Sequence, residues 1–141
     1  LQILQVNAYT VSSGYSGALA INGDESVLET DIKKATTDCG SLASPVTDED
    51  ATALLNEVSS LVPVVQSALT AIVNKKSTFA QVLFVTGLVT TDLKNLKTLT
   101  TSLDTCLLNH TPADQTATAQ GYINTINAAF TSACTAYGIT C

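Results

Sequence analysis

A single histidine, His110, serves the whole 141-residue chain, and it stands on a polar stretch between two apolar segments. A serine–histidine or cysteine–histidine pair, in which a held base activates a nucleophile, therefore has little support. No glycine-rich phosphate loop, EF-hand spacing or HExxH helix occurs, so the absences argue against an enzyme. Charge is just as scarce, at 13% of residues against a usual share of about 25%. The six basic residues are scattered apart from Lys33-Lys34 and Lys75-Lys76, and the net charge is −6. No basic stripe exists to follow a phosphate backbone, which excludes nucleic acid as a partner. Long apolar runs are missing too. The most apolar one, LVPVVQSALTAIV at 61–73, is interrupted by Gln66, Ser67 and Thr70 well short of the ~18–20 residues that span a bilayer, so no transmembrane segment is expected. The chain starts at Leu1 without a charged leader region, as expected of a mature chain whose signal peptide has been removed. Methionine and tryptophan are absent, and there are only three Phe and four Tyr. Positions that face one another must then be filled largely by Ala, Val and Thr, and long helices packed through small side chains can leave a cavity.

What is present is helical periodicity over every long segment, with no run of strict alternation. Residues 1–141 read as one domain, long enough to bury a core without a partner. The first helix places Leu4, Ala8, Val11, Tyr15 and Leu19 on one stripe and stops at Asn22-Gly23, where Asp24 caps the next. The second turns Leu28, Ile32, Ala35, Cys39 and Leu42 inward, with Glu25, Glu29, Lys33 and Lys34 outside, and ends before Ser44-Pro45. Thr47 followed by Asp48-Glu49-Asp50 starts the third, a hydroxyl cap with three carboxylates in the positively polarised first turn. That placement accounts for the acidic cluster without a ligand. Residues 79–88, FAQVLFVTGL, read as a loop or short turn of helix over the bundle. A fourth helix covers about 89–108, with Leu93, Leu96, Thr100, Leu103 and Leu107 in line. The fifth begins at Thr111-Pro112-Ala113-Asp114, turns Ala119, Tyr122, Ile123, Ile126, Phe130, Ala133 and Tyr137 inward, and ends at Gly138. The expected fold is all-α, an up-and-down antiparallel bundle of five helices with an internal apolar cavity.

Four cysteines allow three pairings, and their spacing fits no zinc pattern, so no metal site is expected. If the helices alternate in direction, Cys39 and Cys106 share a pole while Cys134 lies at the other. A disulfide needs alpha carbons within about 7 Å, far less than the ~30 Å of a 20-residue helix. The pairing that avoids crossing the bundle is therefore Cys39–Cys106 with Cys134–Cys141. An even cysteine count in an acidic Ser/Thr-rich chain points to the secretory route, and the sequon Asn109-His110-Thr111 makes Asn109 a glycosylation candidate.

One further feature bears on the cavity. Pro63 lies inside the third helix, among Leu54, Leu55, Val58, Leu61, Val62, Val65, Leu69 and Ile72. It removes the hydrogen bond to the Ser59 carbonyl, and it is expected to bend the helix away from its neighbours.

Three stretches together carry a resemblance: TDEDATALLNEVSSLVPVVQSALTAIVNKKSTF, then LVTTDLKNLKTLTTSLDTCLL, then ADQTATAQGYINTINAAFTSA with a closing AY. Over about residues 24–137 the chain resembles the fungal hydrophobic surface-binding protein A family, which includes antigenic cell-wall galactomannoproteins. It departs from that pattern in its four cysteines and sparse charge. The resemblance implies a secreted or cell-wall-associated helical domain that holds a long-chain fatty acid or similar single-chain lipid in an apolar tunnel, with no catalytic residues and no cofactor besides the lipid. An alternative it also implies is a surface-active protein that adsorbs to hydrophobic surfaces and recruits a hydrolase; a third reading is a packed helical effector or antigen acting through its surface. The chain is expected to be a monomer or weak dimer. By position, the acyl chain would meet Leu61, Val62, Val65, Leu69, Leu96, Leu103, Ile123, Ile126 and Phe130 between the third, fourth and fifth helices. Phe79, Leu83 and Phe84 would lie in a lid over it. No arginine is placed to pair with a carboxylate, so the head group is expected to meet hydroxyls or water, with Ser59, Ser67, Thr100 and Tyr122 as candidates.

Overall fold

The computed structural model describes residues 2–141. It has six α-helices, α1 (Gln2–Ala8), α2 (Gly14–Gly40), α3 (Asp48–Asn74), α4 (Lys76–Ala80), α5 (Val85–His110) and α6 (Thr116–Ala136), and a 3-10 turn at Val11–Ser13. No strand occurs among the described residues. The fold is all-α as expected, with six helices in place of five.

The difference arises at two places. The expected first helix breaks after Ala8, where the Tyr9 hydroxyl donates to the Gly14 carbonyl at 2.9 Å and Gly14 takes the left-handed φ of 62° that favours glycine. Helical phase is lost across that break. The stripe Leu4, Ala8, Val11, Tyr15 and Leu19 consequently faces solvent, and Val6, Tyr9 and Ala18 are buried instead. Nor does Asn22-Gly23 end a helix, because α2 runs straight through it. The Asn22 amide donates to both carboxylate oxygens of Asp92 on α5 at 2.9 Å, a tertiary bond that occupies the side chain local sequence would give to a turn. The phase of α2 also differs from expectation: Leu28, Ala35 and Leu42 are exposed while Glu25 is buried. The second change is at 76–88, where Lys76–Ala80 forms α4 and α5 begins at Val85.

Elsewhere the local signals operate. The Thr47 hydroxyl accepts from the Asp50 amide at 3.2 Å and caps α3. At the end of α6, Gly138 adopts φ 68° and the Ile139 amide donates to the Cys134 carbonyl at 3.0 Å, closing the helix with a left-handed C-terminal turn. Pro112 is buried in the turn before α6, which starts at Thr116 rather than at Thr111.

Cross-links define the topology. α2 and α5 run in the same direction, tied by Asn22 to Asp92 at one end and by Cys39–Cys106, with alpha carbons 6.3 Å apart, at the other. α3 and α6 run together the opposite way, joined where the Gln115 amide donates to the Asp48 carbonyl and the Tyr137 hydroxyl to the Ile72 carbonyl at 2.7 Å. α2 packs along α5, α3 along α6, α5 touches α6, and α1 reaches both α2 and α3. This is the up-and-down arrangement. Cys134–Cys141 pins the tail to α6, and among the described residues no cysteine is free.

Candidate functional site

The inner faces of α3 and α5 do not close completely. A cleft of about 260 Å³ lies between them, bounded also by α1, α2 and α6. Its cause can be read from the packing, since the pairs α2/α5 and α3/α6 are each tight while α1, only seven residues long, covers the seam between α2 and α3 over part of its length. Leu28 and Leu61 on the two sides of that seam remain exposed and form the rim.

Seven of the residues expected to meet a ligand line this cleft: Leu61, Val65, Leu69, Leu96, Leu103, Ile126 and Phe130. Thr100 joins them as the one lining hydroxyl among the four candidates. Val62 packs against the core beside it, and Ile123 is buried in α6 without reaching the cleft wall. Ser59 and Ser67 are exposed; Ser67 and Pro63 line an outer groove together with Asn7. Tyr122 is half-buried away from the cleft. The three residues expected to form a lid do not line the cleft. Phe79 is a core residue whose ring lies tilted against Tyr9, centroids 4.9 Å apart, whereas Leu83 and Phe84 are 73% and 72% exposed at the opposite pole from the disulfide Cys39–Cys106. Phe84 holds a left-handed φ of 71°, a conformation that L residues rarely adopt, and its ring meets Tyr15 edge-on.

Sequence reasoning turned Leu28 and Ile32 of α2 inward without assigning them to the cleft, and it missed Ile3 and Val6 of α1, which it read in the wrong phase. It also missed Asp104. This residue is 8% exposed, lines the cleft, and its Oδ2 has no hydrogen-bond partner. Burial pushes its carboxyl up to about 6, against the opposing pull of the Lys97 ammonium. The only signal in the sequence was its spacing, Asp104 standing four residues after Thr100 and one after Leu103 on the inward stripe.

A second ionisable group is buried away from the cleft. Glu25, 2% exposed, faces Glu29 and Asp92, and burial first, then these two carboxyl neighbours, drives its pKa up to about 8. A small void of about 30 Å³ touching Val6, Ile72 and Leu96 separates it from the cleft. Cys39, Cys106 and His110 present ligand atoms within 4.8 Å of one another, but the two sulfurs are bonded together and His110 Nδ1 donates to the Ala43 carbonyl at 2.9 Å. No helix among the described residues is long and apolar enough to cross a membrane.

The described residues thus form an all-helical bundle cross-linked by two disulfides, with an apolar cleft between α3 and α5. The chain belongs to the hydrophobic surface binding protein A family, whose profile matches residues 4–109. Its structure is similar to that of Afmp4p in complex with palmitic acid, with 31% identity, a TM-score of 0.90, and coverage of 96% of this chain and 87% of that one. It is also similar to ligand binding domain 2 of the Penicillium marneffei MP1 protein complexed with multiple arachidonic acids, at 21% identity and a TM-score of 0.83 over 99% of this chain and 86% of that one; this second likeness speaks for the fold. No curated protein sequence matches.

Proposed function

We propose that this chain is a secreted or cell-wall-associated carrier that holds one long-chain fatty acid, or a similar single-chain lipid, in the cleft between α3 and α5. The observation that carries the reading is the lining itself, apolar at every position except Thr100 and Asp104, in a chain similar over nearly its full length to a palmitic acid complex. At about 260 Å³ the cleft lies just below the usual size of small-molecule sites. An acyl chain would therefore be covered over part of its length and rest the remainder against the exposed rim at Leu28 and Leu61. Ten buried methylenes at ~0.8 kcal/mol each supply roughly 8 kcal/mol of gross driving force, from which ordering costs subtract. No residue is assigned a catalytic role. Asn109, exposed at the end of α5, is the candidate glycan site at the disulfide pole. Adsorption to hydrophobic surfaces, the second reading, would use the exposed Leu83-Phe84 tip; the two disulfides oppose the spreading it requires.

The test is thermal. Palmitate at about 100 times its dissociation constant stabilises a binding protein by ~2.7 kcal/mol, which for a chain of this size raises Tm by roughly 9 °C. Delipidated protein whose Tm does not move at saturating palmitate is not a fatty acid carrier.

A further inference from the structure

We propose that Asp104 is the head-group partner of the lipid: its carboxyl, carrying a proton, closes a hydrogen-bonded pair with the carboxylate of a fatty acid lying in the cleft. This rests on the carrier reading above and adds to it the residue, the ligand class and the pH at which the ligand is released.

Three observations support the assignment. Among the described residues Asp104 is the only ionisable side chain in the cleft lining. It is more than nine-tenths buried, yet its Oδ2 is unpartnered, and a buried polar atom without a partner is costly unless something else supplies one. Thr100 lines the same cleft one turn away on α5, so a hydroxyl and a carboxyl face one point.

The proton follows from the charges around the site. Two ionised carboxylates in an apolar cleft repel, as in any close like-charge pair, and among the described residues no cation lines the cleft to offset them. Lys97, on α5 itself, is the nearest, and its ammonium already donates to Asn127 at 2.8 Å and to Thr101 at 3.1 Å. On α2, Lys33 pairs with Glu29 and Lys34 with Asp38 on the solvent side. α3 offers only the exposed Glu57 beyond its first-turn acids. α6 carries no charged side chain, its one ionisable hydroxyl being Tyr122, and α1 carries none. The stable arrangement is one proton shared between two carboxyl groups, a short charge-assisted O–H···O⁻ bond. Binding the lipid anion then takes up one proton from solvent whenever Asp104 is ionised beforehand. With the free carboxyl near 6, affinity is level in acid and falls tenfold for each pH unit above that point.

Equilibrium dialysis of radiolabelled palmitate against the full chain from pH 6 to pH 8 tests this, with 1-hexadecanol as an uncharged chain of the same length. For the wild type, palmitate affinity is expected to fall about fiftyfold over the two pH units, while hexadecanol, which donates to Asp104 in its ionised form, shows no such fall. Asp104→Asn supplies an amide donor without needing a proton, so its palmitate profile loses that slope and at pH 8 it binds palmitate at least tenfold more tightly than wild type. Asp104→Leu, which fills the site with an apolar group, keeps hexadecanol and loses palmitate. A flat wild-type palmitate profile, or the wild-type slope persisting in Asp104→Asn, overturns the assignment even where both lipids bind. If neither lipid binds the wild type at any pH, the carrier reading itself fails.

Discussion

Filling the cleft from its wall separates a binding site from an incidental packing fault. Ala68 lies on α3, half-buried, and lines the cleft between Val65 and Ile72. Ala68→Phe adds roughly 100 Å³ of side chain, more than a third of the space, and at ~24 cal/mol per Å³ of void removed it gains up to about 2 kcal/mol. Misfit of the ring against Leu69 and Leu103 takes back ~1 kcal/mol or more. The net expectation is a ligand-free protein as stable as wild type or up to a few degrees more so. The same ring displaces about four methylenes of the acyl chain, and at ~0.8 kcal/mol each that is ~3 kcal/mol, or about a hundredfold in Kd. Scanning calorimetry and palmitate dialysis on the two proteins measure both quantities, with the exposed Ala53→Phe on the same helix as a control that leaves binding unchanged. A folded Ala68→Phe protein that binds palmitate as tightly as wild type would refute the placement of the ligand between α3 and α5.

Three further outcomes follow from other parts of the molecule. Glu25, raised from 4.5 to about 8, keeps in the folded state a proton that the unfolded chain gives up, so wild-type stability declines as pH rises from about 5 to 8. The full effect at ~1.4 kcal/mol per tenfold is ~5 kcal/mol, reduced to roughly 2 by water in the groove that Glu25 lines with Asn22, Glu29 and Asp92; Glu25→Gln should gain that amount at pH 8 and flatten the slope in urea titrations, leaving the parts due to Asp104 and to Asp92, whose carboxyl burial also raises, and an unchanged slope would contradict the assignment. Pro63→Ala restores a backbone donor to the Ser59 carbonyl in a helix that continues through Pro63, so denaturant unfolding should show about 2–3 kcal/mol of added stability; a variant no more stable than wild type would contradict this. Cys39→Ala with Cys106→Ala opens a crosslink spanning 67 residues and should cost about 4 kcal/mol of stability, read as a lower Tm.

The sequence made the second half of the fold legible and misplaced much of the first. In α5 and α6 the apolar positions recur without interruption, and Leu93, Leu96, Ile126, Phe130 and Ala133 are all buried as their spacing implies. In residues 2–21 the reading fails because helical phase is carried across a break at Tyr9-Thr10, where a Tyr9-to-Gly14 hydrogen bond has no local sequence signature. Glu25 illustrates the same point from the other side: a charged residue defaults to solvent unless a distant partner, here the pair Asn22–Asp92, redirects the face of the helix. The disulfide pairing was legible because it depends only on the direction of the helices and not on their phase. For the cleft, the α3 and α5 walls could be read from period alone. Leu28 and Ile32 of the α2 wall also lay on the inward stripe, whereas the α1 wall could not be read, and Asp104 was hidden because a single carboxyl on an apolar stripe gives no hint in sequence of whether it is paired, buried or facing a ligand.

The central claim is that one acyl chain occupies the cleft between α3 and α5. Native mass spectrometry of delipidated chain titrated with palmitate at pH 6 tests it most directly. The account predicts a single palmitate adduct per chain that saturates at one and is lost in Ala68→Phe; adducts that accumulate without saturating, or that persist equally in the filled variant, would contradict it.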